Sequence, residues 1–274
     1  MGLGDPDADR YFRINHLINE ALRARPRPDY VVLPELALPR KWFSLAAHRL
    51  AHSGVSLIAG LEYEHHGPAR DTEGKDRPYV SNQVWSSLTT DLLGYPSLMI
   101  YAQEKERPAP GELDQLLKRA NKELKPILPP VKRSVIQHGN FHFGILICSE
   151  LTNIRSRAEF RGVVDALIVP EWNRDINSFS SLVEASALDV HCFMIQVNNR
   201  QYGDCRVRAP YTKEFLRDIA RVKGGKADYY VLAELDVPSL RAFQSQALSP
   251  DEAEFKPKPD GFEMNPRRRR VPGT

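Results

Sequence analysis

Cys148 ends the apolar run Phe143-Gly144-Ile145-Leu146-Ile147 and is followed by Ser149 and Glu150. A strand that stops at a cysteine and turns sharply sets the thiol at the carboxyl edge of a sheet, where α/β folds assemble their sites. If a helical turn opens there, its N–H groups lower the thiol pKa and offer a place for an oxyanion. The same position equally suits a small buried hydrophobe at a strand end, and position alone leaves both readings standing. Glu35 is similarly placed, after Tyr30-Val31-Val32-Leu33-Pro34 and before Leu36-Ala37-Leu38. A carboxylate in such a setting must be paired or take up a proton, and a raised pKa would suit a general base. Taken alone, Glu35 reads more simply as a turn cap at a strand edge. Lys105 follows a further strand and could hold a thiolate or a developing oxyanion at the same edge. Its neighbours Glu104, Glu106 and Arg107 also describe a solvated charged turn.

These residues are spaced by elements that alternate between two periods. Tyr11, Ile14, Ile18, Ala21 and Leu22 recur at helical spacing, closed by Pro26 and Pro28. Residues 29–35 read as a short buried strand, 44–52 as a helix and 55–60 as a second buried strand. The polar stretch 63–77 reads as a loop, with strands at 83–88 and 97–101. Residues 102–132, rich in proline and lysine, read as a partly irregular surface insertion with a helix over 113–121. Then come strand 141–148, helix 155–162, strand 166–170, helix 178–190, strand 192–198, strand 229–235 and helix 238–243. From residue 244 the chain is polar and proline-rich, which predicts an extended tail outside the core. Strands alternating with helices, several apolar on both faces, indicate layered α/β packing.

In order, strand–Pro-Glu, strand–Lys with Pro110-Gly111-Glu112 behind it, and strand–Cys-x-Glu resemble the nitrilase, or carbon–nitrogen hydrolase, superfamily. Gly60 with Glu62, Asn82, Val169-Pro170-Glu171-Trp172, and 185–199 with Gly203 support the resemblance, which spans about residues 10–243. It implies a four-layer α-β-β-α sandwich and a Glu35–Lys105–Cys148 triad. Cys148 would attack an amide, nitrile or carbamoyl carbon, Glu35 would shuttle the proton, and Lys105 with the Ser149 N–H would bind the oxyanion. Glu112 matches a further family glutamate near the lysine, and Trp172 and Asn173 are candidate walls of the substrate pocket. Trp172 fits a core aromatic as well. A small-molecule amide or carbamoyl substrate, no metal or organic cofactor, and a homodimer or larger assembly are implied.

The pattern departs from the family in three places. Ser149 stands where an aromatic residue is usual. Lys105 lies one residue closer to Glu112 than expected, with Lys118 and Lys122 as competitors. The opening MGLGDPDADR supplies no first strand, as for a domain cut from a longer, multi-domain chain. An inactive nitrilase-fold scaffold or sensor in a larger assembly, such as a bacterial defence fusion, is therefore the rival reading. A cysteine protease pairing Cys148 with His142 or His191 fits less well, because His142 shares the strand of Cys148.

Composition limits the alternatives. The chain has 274 residues, 42% hydrophobic and 27% charged, enough for one large α/β domain or at most two small ones and unlike a disordered chain. With 38 basic and 35 acidic residues, the net charge of +3 does not mark a polyanion binder. The run of four arginines at 267–270, flanked by Pro266 and Pro272, reads as a solvated tail rather than a nucleic-acid site. Three widely spaced cysteines make neither a disulfide framework nor a zinc module. Cys192 should be inert within a strand, and the resemblance, in which serine often stands near the pocket at the position of Cys205, implies partial reactivity there. His65 and His66, adjacent in a polar stretch, lack the converging ligands a metal needs. No apolar run reaches membrane-spanning length and no signal-peptide core is present, which predicts a cytoplasmic location.

Overall fold

A computed structural model describes residues 8–70, 74–91, 93–127, 133–225, 228–247 and 253–268. The chain forms two compact units, residues 1–131 and 132–274.

The first unit contains helix α1 (Ala8–Arg23), β1 (Tyr30–Val32), α2 (Arg40–Ala51), β2 (Ser56–Gly60), β3 (Glu64–Arg70), β4 (Asp76–Ser81), β5 (Gln83–Thr90), β6 (Ser97–Glu104), α3 (Pro110–Ala120) and β7 (Glu123–Leu124). Its main sheet has the order β1-β2-β5-β6. β1 and β2 are parallel, while β5 runs antiparallel to both β2 and β6. The helical period of α1 and α2 gathers Ile14, Ile18, Phe43, Ala46, Ala47 and Leu50 onto Leu57 and Ala59 of β2. That apolar contact, rather than helix propensity, is what holds both helices to the sheet.

Residues 63–77, expected as a loop, instead contribute β3 and the start of β4, an antiparallel pair extended by β7. Alternation of exposed and half-buried side chains along β3 carries no apolar stripe, so its sequence gives no strand signal.

The second unit holds β8 (Ile136–His138), β9 (Phe141–Ile145), a 3-10 turn at Cys148–Thr152, α4 (Ile154–Ala158), β10 (Ala166–Glu171), α5 (Ile176–Ser186) with a π-helical turn at Ala187–His191, β11 (Phe193–Asn198), β12 (Gly203–Arg208), α6 (Glu214–Arg217), β13 (Asp218–Lys223), α7 (Val237–Ser245) and a 3-10 turn at Pro266–Arg268. Its sheet runs β13-β12-β11-β10-β9-β8, with β9, β10 and β11 mutually parallel. Leu167, Val169 and Met194 on one face pack against Phe160, Phe179, Val183 and Val190.

Two expectations are corrected here. Residues 229–235, for all their β-favouring side chains, form no strand, and Tyr229 and Tyr230 are exposed. A strand requires a neighbour, and the edge position of this sheet is occupied by β13. The described part of the C-terminal segment is no solvated tail either. Phe255, Met264 and Arg268 are buried, and a bridge joins Phe255 to Tyr211. A segment read as polar overall is anchored by a few apolar residues and one buried arginine. Arg269 and Arg270 lie outside the described residues. No helix among the described residues is long and apolar enough to cross a membrane.

Candidate functional site

Strand direction in the first unit collects the chemistry at one sheet edge. β1 and β6 end there, and antiparallel β5 begins there, so Glu35, Lys105 and Asn82 arrive together from distant parts of the chain. Gln83 pairs with Glu104, and the next bond of that ladder runs from the Lys105 N–H to the Asn82 carbonyl at 2.8 Å. Gly60 completes the edge. A side chain there would meet Glu35 Cα at 2.5 Å and the Leu36 nitrogen at 2.6 Å, so only glycine admits the Glu35 turn so close to β2. Leu36, directly after Glu35, sits at φ 54°, a left-handed conformation costly for a branched side chain.

Lys105 is almost fully buried, at 1% exposure, and donates to Glu35 Oε1 at 2.9 Å and to Glu112 Oε2 at 2.6 Å. Asn82 Nδ2 donates to the same two carboxylates, to Glu35 Oε1 at 2.8 Å and Glu112 Oε1 at 3.2 Å. Tyr63 OH donates to Glu112 Oε1 at 2.7 Å. Glu112 also accepts from the Ala109 N–H at 3.0 Å, the glutamate half of a capping box at the start of α3. Burial pushes the Glu112 carboxyl up, but the Lys105 ammonium and hydrogen bonds from Lys105, Tyr63 and Ala109 outweigh it and hold it below the usual carboxylate range. Lys118, one competitor for the lysine, is 74% exposed and pairs with Asp114 one helical turn away. Lys122 contacts His65 instead. The tyrosine was not singled out from the sequence, and only its position three residues after Gly60 could have pointed to it.

In the second unit, Cys148 follows β9 and opens the 3-10 turn at φ 49°, a strained conformation for a non-glycine residue. The thiol residue is 6% exposed. Glu150 braces the turn: its Oε2 accepts the Ile147 N–H at 2.8 Å, and Arg133 grips both carboxylate oxygens at 3.1 and 3.3 Å. Ser149 is half-buried, and its carbonyl accepts the Thr152 hydroxyl at 2.7 Å. Trp172 is half-buried beyond β10. Asn173 is engaged locally: its Oδ1 accepts the Asp175 N–H at 2.9 Å, and Asp175 in turn caps α5. Its side chain thereby builds a turn.

The other candidates resolve on their surroundings. His191 is buried, with Nε2 bonded to the Lys256 carbonyl at 2.8 Å and Nδ1 facing Gln244 at 3.2 Å, and burial lowers its pKa. Both ring nitrogens serve the fold. His142 lies within β9 beside Arg241 and Asp165. His65 and His66, neighbours on a strand, make separate contacts with Lys122 and Ser81. Among the described residues no three histidine, cysteine or acidic side chains converge as a metal would require. Cys192 is fully buried and its thiol is pushed up to about 12 by desolvation. Burial likewise raises Cys205, which contacts the Asn198 backbone.

No family model matches the chain, and no curated protein matches its sequence. Solved structures do match its fold. A cysteine-to-alanine variant of an amidase of the nitrilase superfamily from Nesterenkonia AN1 superposes with a TM-score of 0.53 at 14% identity, covering 79% of this chain and 82% of that one. A glutamate-to-glutamine variant of the same amidase, carrying the product of Michael addition of acrylamide at its active-site cysteine, gives 0.51 at 13% identity over 78% and 84%. Another structure of that variant, with the acetamide moiety of fluoroacetamide added covalently to the cysteine, gives 0.51 at 15% identity over 78% and 81%. The chain shares the mixed α/β fold of the nitrilase-superfamily amidases.

Proposed function

We propose that this chain is a cysteine-dependent carbon–nitrogen hydrolase of the nitrilase superfamily, cleaving a small amide or carbamoyl compound with Glu35, Lys105 and Cys148. The observation that carries the reading is the buried Glu35–Lys105–Glu112 cluster. Two carboxylates around one ammonium, with side chains at 3%, 12% and 1% exposure, are an expensive arrangement for stability alone. The strained turn that presents Cys148 and the fold shared with a cysteine amidase support it further.

In this reading the Cys148 sulfur bonds to the substrate carbonyl carbon while Glu35 takes the thiol proton. The carbonyl oxygen becomes an oxyanion met by the Lys105 ammonium and the Ser149 N–H. Collapse breaks the carbon–nitrogen bond, and Glu35 returns the proton to the departing amine or ammonia. Glu35 then deprotonates a water that attacks the thioester, the carbon–sulfur bond breaks, and the thiol is restored. The sum is amide plus water giving acid plus amine, with no cofactor. Glu112 keeps Lys105 in place, and Trp172 lines the substrate pocket. A homodimer or larger assembly is what the resemblance implies.

The test needs no known substrate. Iodoacetamide labelling of each cysteine is followed against pH by peptide mass spectrometry, in wild type and in Lys105→Ala and Glu35→Gln variants. Cys148 should label far faster than Cys192 and Cys205 below neutral pH, and both variants should abolish that preference. An amide and carbamoyl panel then follows, with loss of turnover on the order of 10²–10⁴-fold in Glu35→Gln. A Cys148 that behaves as an ordinary thiol, with pKa about 8.5, would leave the fold as an inactive scaffold.

A further inference from the structure

Among the described residues the three sheets have six edge strands, and five of them are blunted. β1, β7 and β8 are only two or three residues long. β3 carries Pro68 and an irregular register beside it. β13 carries Asp218, Arg221 and Lys223, with shifts in its pairing to β12. Short length, proline, charge and bulges are the devices that stop a sheet edge from accepting a foreign strand. β6 lacks them. It runs for eight residues without proline or lysine, pairs with β5 along its whole length, and has its one charge, Glu104, at the very end.

The ladder fixes which backbone groups β6 leaves over. The Lys105 N–H bonds to the Asn82 carbonyl, and bonded pairs alternate along an antiparallel ladder. Gln103, Tyr101, Met99 and Ser97 therefore turn their N–H and C=O groups to β5. Leu98, Ile100 and Ala102 turn theirs outward, where no strand lies among the described residues. The side chains are apolar and exposed on both faces of the sheet, Leu98 and Ile100 on one and Met99 on the other. Met99 is 57% exposed and Ile100 51%, and Leu93 and Tyr95 in the preceding turn extend the apolar surface.

Charge selects the occupant. Residues 92–103 contain no charged side chain, in a chain with 27% charged residues. Pairing about a two-fold axis brings a strand against its own copy, so any charge on it would stand close to a like charge. An unlike partner imposes no such restriction. A long, bare and charge-free edge is what a second copy of this chain needs.

We propose that two copies of this chain join through β6, antiparallel about a two-fold axis, fusing two four-stranded sheets into one. With the axis at Ile100, that residue faces its own copy, Leu98 faces Ala102 and Met99 faces Tyr101. The outward groups of Leu98, Ile100 and Ala102 then bond across the axis. Glu104, held by Gln83 and the Ile127 N–H, stays beyond the new ladder. A strand edge covers less than the standard interface of about 800 Å² per partner, so association is expected in the micromolar range. The inference does not depend on the hydrolase reading.

The experiment is sedimentation velocity over a concentration series, on the full chain, for wild type, Ile100→Pro and Ile100→Lys, with thermal unfolding of each. The Ile100 N–H points away from β5, so proline there spares the existing ladder and removes the central donor of the new one. Lysine keeps every backbone group but opposes two ammonium groups across the axis, and it carries the measurement if Ile100→Pro does not fold. Wild type should dimerise, and each variant should weaken association at least about tenfold. Ile100→Cys under mild oxidation should give a disulfide joining position 100 of the two copies, read by peptide mass spectrometry, because bonded antiparallel pairs hold their Cα atoms about 5.5 Å apart. Phe12→Lys, at an exposed position on α1, should leave association unchanged. A wild type that stays monomeric, a dimer that survives both Ile100 variants, or one that never forms the position-100 link overturns the proposal. So does a dimer lost in Phe12→Lys and kept in Ile100→Lys, which would place the interface on the helices.

Discussion

Each unit buries an ion cluster, and the two are built in opposite senses. In the first, Glu35 and Glu112 both pair with Lys105. In the second, Asp165 is shared by two arginines. Arg241 Nε donates to Oδ1 at 2.8 Å and its Nη2 to Oδ2, while Arg268 Nη2 donates to Oδ1 at 2.8 Å and the His142 N–H to Oδ2 at 2.8 Å. Arg268 also donates to the Gly162 carbonyl at 2.8 Å and to Gln244 Oε1 at 2.9 Å. Burial alone would raise the Asp165 carboxyl; hydrogen bonds from Arg241 and His142 and the charge of Arg268 hold it far below the usual range. The guanidinium fork fixes a carboxylate from two directions and does not give up its proton, so this cluster is a bolt between β10, α7 and the C-terminal segment. An excess of acid around a compact ammonium is instead suited to moving a proton. Burial and short distances are common to both clusters. The sign of the imbalance and the choice of lysine or arginine tell them apart.

This contrast can be broken most severely at Asp165. Asp165→Asn leaves two buried guanidiniums without their counter-charge and should lower the unfolding free energy by about 3–5 kcal/mol, measured by urea denaturation. If the loss is below about 1 kcal/mol, the well-bonded bolt described here is wrong.

A smaller effect separates the clusters by pH. The folded-state pKa of Asp165 is depressed, so its stabilisation is fully present above its unfolded value of about 3.9 and is lost as pH falls below that. Glu112, also depressed, acts in the same direction from about 4.3 downward. Denaturation curves collected between pH 6 and pH 2 should show wild type losing stability below about pH 4. In the same window Asp165→Asn should have a shallower slope. Equal slopes would mean that Asp165 is not the group being titrated.

The smallest effect is expected at the surface. Lys118→Ala removes an exposed pair with Asp114 on α3. It should change stability by no more than about 0.5 kcal/mol and leave Cys148 labelling untouched. A loss of labelling equal to that of Lys105→Ala would assign the site lysine wrongly.

How much of this was legible beforehand depends on the kind of signal. Glu35, Lys105 and Cys148 each follow a strand whose apolar run announces itself: Lys105 comes directly after β6, and Glu35 and Cys148 come three residues past the ends of β1 and β9. The β3–β4 pair was illegible because its side chains carry no two-residue apolar period. The stretch 229–235 misled for the opposite reason, having strand-like residues and no partner strand. The C-terminal segment reads as a tail because its average polarity hides three buried residues, Phe255, Met264 and Arg268.

By itself, the sequence determined the alternation of strands and helices, the apolar faces of α1 and α2, and the order in which acid, base and thiol arrive at strand ends. Those properties depend on local period and on neighbours a few residues away. Only the tertiary structure decided that Lys105 rather than Lys118 lies against Glu35, and that Asn82 and Tyr63 belong to the cluster. It alone made Asn173 a turn residue and brought Arg268 to Asp165. Strand order and direction set those pairings, joining residues such as Glu35 and Lys105 that stand 70 positions apart. No local pattern records which edges of a sheet will meet.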